Sequence, residues 1–225
     1  MDDIVYFVKE SPVNEELRYS LRSLVNFPHR KVIFYGGCPD GIIPDVHIEV
    51  NQDQENKWQN VSKMLRMACS NKAISKNFWL FNDDFFVMKK VKKPCNYYNG
   101  DLYKRIVMLE DSHCSITPYS EQLRNMCKEL EAMGCETKNY TLHIPILINR
   151  DKALELLNMT DCPMFRSLYA NYAKIGGEQM RDVKIVSKTK LYKDGIYLST
   201  DDNSFDGAVG QQIREVFKLK SQYEK

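Results

Sequence analysis

Two adjacent carboxylates at the end of an apolar run are the side chains of this sequence best suited to chemistry. Asp83 and Asp84 follow Phe78-Trp79-Leu80-Phe81 and Asn82, and Phe85 and Phe86 come directly after them. Neighbouring carboxylates repel one another and lose hydration when half-buried, so the arrangement is costly unless positive charge accompanies it. A hard divalent cation, Mg²⁺ or Mn²⁺, is the simplest partner. It takes carboxylate oxygens together with substrate phosphates, and so can hold a diphosphate leaving group. The competing reading is an Asp-rich turn that only closes a strand. A second acidic pair, Asp201-Asp202, recurs near the end of the chain.

Other candidates are weaker in isolation. His143 stands among Leu142, Ile144, Pro145 and Ile146, where a histidine could act as acid or base near neutral pH, although a lone histidine in an apolar stretch is more often a hydrogen-bonded core residue. Arg166 offers a planar guanidinium suited to phosphate oxygens, against the plainer reading of a surface arginine on a helix. Arg18 and Arg22 lie one turn apart, and Gly36-Gly37 would let a nucleotide approach the backbone closely. Lys89, Lys90, Lys92 and Lys93, with Tyr97, Tyr98 and Tyr103 nearby, could track a nucleic acid; a solvated loop explains them as well.

The elements that must position these groups follow from periodicity. Ile4–Val8 reads as a buried strand, and Asn14 caps a helix in which Glu15 and Glu16 complement the helix dipole and Leu17, Leu21, Leu24 and Val25 form one face. Lys31–Tyr35 and Val46–Val50 are strands. Trp58, Val61, Leu65, Ala68 and Cys69 line one side of a helix over 55–70, and 78–81 is a strand running into the acidic turn. Alternation of this kind predicts an α/β sandwich with a mainly parallel sheet, whose ligands bind beyond the carboxyl ends of the strands. In the second half, Thr117-Pro118 opens a helix that Gly134 stops. Residues 151–157 and 165–174 are helical, 182–186 and 190–198 are strands, and a last helix carries Val209, Ile213, Val216 and Phe217.

The whole chain has 225 residues with 32 basic and 30 acidic side chains, so charge alone selects no nucleic-acid partner. With no repeat and no flexible linker, a single domain is expected over 1–225, its nucleotide-binding half at 1–90 and its acceptor and catalytic half at 91–225. No apolar run approaches the roughly 18 residues that span a bilayer, and the first residues do not resemble a signal peptide. A cytoplasmic protein without membrane partners is expected. The seven cysteines, Cys38, Cys69, Cys95, Cys114, Cys127, Cys135 and Cys162, have no zinc spacing and read as reduced thiols.

Taken in order, four segments resemble the Stealth family of capsular polysaccharide phosphotransferases and N-acetylglucosamine-1-phosphotransferases. They are Asp3–Tyr6 with the Arg18/Arg22 helix, the strand ending in Asn82-Asp83-Asp84, His143 to Arg150 with Phe165-Arg166-Ser167, and Leu198 to Asp202 with the closing Ser221–Glu224. The resemblance implies a nucleotide-diphospho-sugar transferase fold of the GT-A kind. It also implies a reaction in which an acceptor hydroxyl attacks a nucleotide-sugar donor. On that basis Asp83, Asp84 and Asp202 would hold Mg²⁺ or Mn²⁺, His143 would be the base and Arg166 would stabilise phosphate charge. Tyr6, Arg18, Arg22, Gly36, Gly37 and Asn82 would contact the donor. Transfer of sugar or of sugar 1-phosphate stays open, as does an acceptor that is a saccharide, a small molecule or DNA, since compact chains of this kind also resemble phage-encoded proteins. The alternative from another class is a non-catalytic module that binds a nucleotide or a partner without turnover.

Overall fold

The structure, a computed structural model, describes residues 1–160 and 164–225; Cys162 therefore lies outside the described residues, and the six described cysteines are free thiols. In chain order the elements are β1 (Asp3–Val8), α1 (Glu15–Ser23, continued by a 3₁₀ turn at Leu24–Asn26), β2 (Val32–Gly36), β3 (Val46–Ile48), α2 (Lys57–Ser70), β4 (Asn77–Phe81), β5 (Phe85–Val87), β6 (Tyr97–Tyr98), α3 (Leu102–His113), α4 (Pro118–Ala132), β7 (Ile146–Asn149), α5 (Arg150–Met159), α6 (Phe165–Tyr172), β8 (Glu178–Gln179), β9 (Tyr197–Ser199), α7 (Asp202–Phe205) and α8 (Ala208–Val216). Among the described residues no helix is long and apolar enough to cross a membrane.

The chain divides into two compact units. One holds Met1–Pro94, His143–Ile148 and Val183–Lys225, and the other holds Cys95–Leu142 and Asn149–Asp182. This partition differs from the expected halves at residue 90, because the C-terminal segment returns to the unit that begins the chain.

In the first unit a five-stranded sheet runs in the order β3-β2-β1-β4-β7. β1 pairs in parallel with β2 and with β4, and β2 with β3, with Tyr6 level with both Phe34 and Phe81 and Val8 level with Gly36. Parallel pairing puts the carboxyl ends of β1, β2 and β4 on one edge. Both faces of β1 and β2 are covered, so from Ile4 to Val8 and from Val32 to Tyr35 the residues form continuous hydrophobic runs instead of alternating. α1 packs on β5, and its Leu17 and Leu21 are essentially inaccessible; burying each such side chain contributes about 2 kcal/mol. Its N-cap is Asn14, whose side chain accepts the Leu17 amide at 2.9 Å. Ser20 and Ser23, buried on the same helix, bond the β5 backbone at the Phe85 carbonyl (2.6 Å) and the Val87 amide (3.0 Å). β5 in turn pairs antiparallel with β9, Phe85 opposite Ser199. Under that ribbon, Phe86, Ile185, Leu198, Phe205, Val209, Ile213 and Phe217 form a second apolar cluster.

The second unit packs α3 on α4 and α4 on α6. Thr117 caps α4 in a reciprocal box with Ser120, Pro118 occupies the first turn, and Leu123, Met126, Cys127 and Leu130 are its buried face. Gly134 ends the run at φ +65°.

Some expectations need correction. Val25 is 81% exposed, because the helix tightens to 3₁₀ after Ser23 and the 3.6-residue spacing no longer applies. Trp58 is 40% exposed, covered on one side by the Lys57 ammonium 4.7 Å from its ring, and Val216 is exposed too. The expected strands at 182–186 and 190–198 shrink to an isolated bridge between Lys184 and Ser199 and the three residues of β9. β5 and α3 escaped the sequence reading.

Candidate functional site

The carboxyl edge of the sheet carries two adjoining clefts. The first, about 430 Å³, is lined by Gly36, Gly37, Cys38, His47, Glu49 and the loop residues Glu10 to Pro12. Gly36 sits at φ +104°, and a Cβ there would lie 2.2 Å from the Val8 carbonyl and 2.7 Å from Gln52 Nε2. Only glycine fits so close to two strands at that dihedral. His47 closes the far side with Nε2 2.9 Å from the Gly36 carbonyl. The second cleft, about 400 Å³, shares Glu10 and Ser11 with the first and adds Lys9, Val13, Asn14, Glu15, Glu16, Asp83, Asp202, Phe205 and Asp206.

The acidic turn is held from three directions. Asn14, while capping α1, donates from Nδ2 to Asp83 Oδ2 at 2.7 Å. The positive end of the helix and the carboxylate are thus tied by one side chain. Asp84 Oδ2 accepts from Ser199 Oγ at 3.0 Å and from Lys184 Nζ at 3.2 Å, and the Thr200 amide approaches the Asp84 carbonyl at 3.4 Å. Asp84 Oδ1 is buried without a hydrogen-bond partner. Thr200 Oγ1 donates to Glu16 Oε1 at 2.6 Å. Burial foremost, and then the repulsion of Asp83, Asp84 and Asp202, push the Glu16 carboxyl up to about 7, although the Thr200 hydroxyl works the other way. Burial likewise raises Asp83, reinforced by Asp84 and opposed by the Asn14 amide. Asp201 is the N-cap of α7, bonded to the Ser204 amide at 2.9 Å, which holds its own carboxyl below the usual range.

The donor set is therefore hard oxygen, with one buried carboxylate oxygen left over, and it suits Mg²⁺ or Mn²⁺. Among the described residues, however, no three His, Cys, Asp or Glu side chains converge on a common point. Asp202 stands exposed at the first position of α7 and lines the same cleft as Asp83. Asp83 and Asp84 would supply part of an ion's oxygen shell, which oxygens of a bound phosphate would complete, the usual habit of Mg²⁺.

The other sequence candidates separate. Gly36 and Gly37 line the first cleft as expected. Asn82 is exposed and closes the turn through its carbonyl, 3.2 Å from the Phe85 amide. Tyr6 does not reach either cleft: it is fully buried between Phe34 and Phe81, and its hydroxyl bonds Ser20 at 2.9 Å. Arg22 is likewise committed elsewhere, forking onto Glu224 at 2.8 and 2.7 Å and onto the Phe217 carbonyl at 3.0 Å. Arg18 leans on the same carboxylate at 3.7 Å. These two arginines hold the C-terminus, whose Glu224 side chain has no exposed surface. His143 is half-buried on the bend before β7 and does not line either cleft. Arg166 belongs to the second unit, on α6, with Nε 3.5 Å from the Tyr140 carbonyl. The lysines at 89, 90, 92 and 93 are exposed, Lys89 pairing with Asp194.

Five residues of the site escaped the sequence reading as functional groups: Asn14, Glu16, Lys184, Ser199 and Thr200. The one available signal was the capping pattern Asn14-Glu15-Glu16 directly after a strand, which puts polar groups at the sheet edge where ligands bind.

No protein-family model and no curated protein matches the chain. Among solved structures, galactosyltransferase LgtC in complex with donor and acceptor sugar analogues aligns over 98% of this chain and 96% of its own, with a TM-score of 0.52 at 11% identity. An active-site mutant of LgtC aligns over 82% of this chain and 75% of its own (TM-score 0.43, 12% identity). A glycosyltransferase involved in glycosylation of the major capsid of PBCV-1 aligns over 96% and 99% (TM-score 0.39, 10% identity). The last two scores are too low to argue from. The first establishes the architecture: the chain has the α/β fold with a mainly parallel central sheet seen in GT-A glycosyltransferases.

Proposed function

We propose that this chain is a glycosyltransferase that moves a sugar from a nucleoside-diphosphate sugar to an acceptor hydroxyl and releases the nucleoside diphosphate. One observation carries the reading: the Asp83-Asp84 turn sits at the carboxyl edge of a parallel sheet, beside a glycine-walled cleft that shares Glu10 and Ser11 with it. Two adjoining clefts of roughly 400 Å³ each match the size of ligand sites and divide naturally into a nucleoside end and a diphosphate-sugar end. That LgtC was solved with donor and acceptor sugar analogues supports the same assignment.

In this reading the nucleoside lies along Gly36 and Gly37, where the missing Cβ gives the backbone room. Asp83 and Asp84 would hold Mg²⁺ or Mn²⁺, which would supply positive charge to a leaving group that gains negative charge. Asn14 fixes Asp83, while Ser199 fixes Asp84. Glu16 is half-ionised near neutrality and can take or return a proton within the cleft. His143 as base and Arg166 as stabiliser of phosphate charge belong to the proposal through the family resemblance alone.

The order of the four motif segments favours one second reading, in which the chain is a compact Stealth-type enzyme. The acceptor then attacks the β-phosphate and the product carries sugar 1-phosphate. A panel of UDP-, GDP- and CDP-sugars incubated with Mn²⁺ or Mg²⁺ separates the two. Slow release of nucleoside diphosphate is expected. Release of nucleoside monophosphate would replace the first reading by the second, and binding without any release would leave a non-catalytic nucleotide-binding module.

A further inference from the structure

Lys184 reaches the acidic turn from a hundred residues away in sequence. It is held there by backbone: Lys184 bridges Ser199, the Ile185 amide bonds the Ser199 carbonyl at 2.8 Å, and Ser204 Oγ donates to the Ile185 carbonyl at 2.6 Å. The bridge places the Lys184 and Ser199 side chains together, and both donate to the same oxygen, Asp84 Oδ2. Neither partner of the ion pair is in open solvent, the side chains being 25% and 14% exposed. The second cleft, lined by Asp83 next to Asp84, also carries Glu10, Glu15, Glu16, Asp202 and Asp206, with Lys9 the one cation among its described lining residues.

We infer that Lys184 is a built-in counter-cation of Asp84 that must surrender this carboxylate before a divalent ion can take it, and that its freed ammonium then turns to the donor diphosphate. The inference rests on the proposed donor site and adds a positioning residue to it. The physical basis is exclusion. An ammonium and a divalent ion on one carboxylate repel strongly in a half-buried cleft, so they compete for Asp84 and do not share it. A lysine suits the exchange because its charge is compact and its stem has several rotatable bonds. The diphosphate offers the displaced ammonium a new partner, so ion and donor should each strengthen the binding of the other by the same factor. A lysine that only propped up the turn would behave in the opposite way, since its removal would loosen Asp84 and weaken ion binding.

The test is the affinity for Mn²⁺ alone, read from the paramagnetic resonance signal of free Mn²⁺, in the full-length wild type and in Lys184→Met and Lys184→Gln. Both variants should bind Mn²⁺ about tenfold more tightly or better, and Lys184→Arg, which keeps the charge, should stay near wild type. The tightening of Mn²⁺ binding by UDP, present in the wild type, should shrink in the Met and Gln variants. Unfolded variants are recognised by circular dichroism, and two substitutions of different polarity guard against losing both. Unchanged or weaker Mn²⁺ binding in the folded variants, or no binding in any protein, overturns the inference. These titrations contain no sugar, so a failure of the donor panel leaves their outcome readable.

Discussion

Glu16 gives the account a thermodynamic handle that needs no substrate. Its carboxyl keeps a proton up to about 7 in the folded protein, against an ordinary value of 4.5. Between those two pH values the folded state binds more protons than the unfolded one, so stability is fullest below about pH 4.5, declines across the window and is lost above about pH 7. The full span would amount to about 3 kcal/mol. Between about pH 6 and pH 8, where urea unfolding is easily measured, the linkage relation leaves about 1 kcal/mol once the part-exposed position of the group is discounted. Glu16→Gln resembles the protonated acid and can still accept the Thr200 hydroxyl, so it should lack this decline. Urea denaturation of both proteins at several pH values, without divalent ions, isolates the group as the difference between two slopes. The wild type should lose about 1 kcal/mol more than the variant as pH rises through neutrality. Parallel slopes would show that Glu16 is an ordinary ionised carboxylate, and would remove the reason for regarding it as the cleft's proton carrier.

Three further outcomes follow from the same geometry. Asn14→Ala should cost about 1 kcal/mol by uncapping α1 and, because Asp83 then loses the amide that helps it ionise, should also weaken Mn²⁺-dependent nucleotide binding in calorimetry; a variant that changes stability alone would separate the cap from the site. Gly36→Ala puts a methyl group 2.2 Å from the Val8 carbonyl, which neither strand can yield, and should lower unfolding stability by about 2 kcal/mol or more; a midpoint in urea equal to wild type would contradict the tight approach. Arg22→Ala removes the forked partner of the buried Glu224 carboxylate, leaving it the Ser221 donors and the more distant Arg18, and should cost about 3 kcal/mol, whereas nucleotide affinity of the folded fraction should not change. Loss of affinity without loss of stability would restore Arg22 to the donor site.

Much of this architecture is legible in the chain because its signals are local. Asn14 before Glu15-Glu16, Thr117-Pro118 before an apolar stripe, and Phe78–Phe81 ending in two aspartates each announce an element and its boundary without reference to anything distant. The misses have the opposite character. Strands covered on both faces lose their alternation, so nothing in Ile4–Val8 says that Tyr6 points into the core instead of toward a ligand. The spacing of Arg18 and Arg22 gives a helix face but not the partner, which is Glu224, 202 residues further on. Lys184, Ser199 and Thr200 join the acidic turn only through β9 and a single bridge, pairings of two or three residues whose propensity signal is too short to read. Asp201 and Asp202 look alike in sequence; the helix cap separates them, one fixed to the Ser204 amide and the other left to line the cleft.

The central claim is that Asp83 and Asp84 hold the diphosphate end of a nucleotide through a shared divalent ion. Calorimetric titration of UDP in saturating Mn²⁺ and again in chelator, on the wild type and on Asp83→Asn and Asp84→Asn, tests it most directly. Wild-type affinity should fall at least about tenfold when Mn²⁺ is removed, or about 1.4 kcal/mol. Each folded variant should show a comparable loss even in its presence. Equal, Mn²⁺-independent binding by all three proteins would contradict the claim and return the acidic pair to the role of a strand-closing turn.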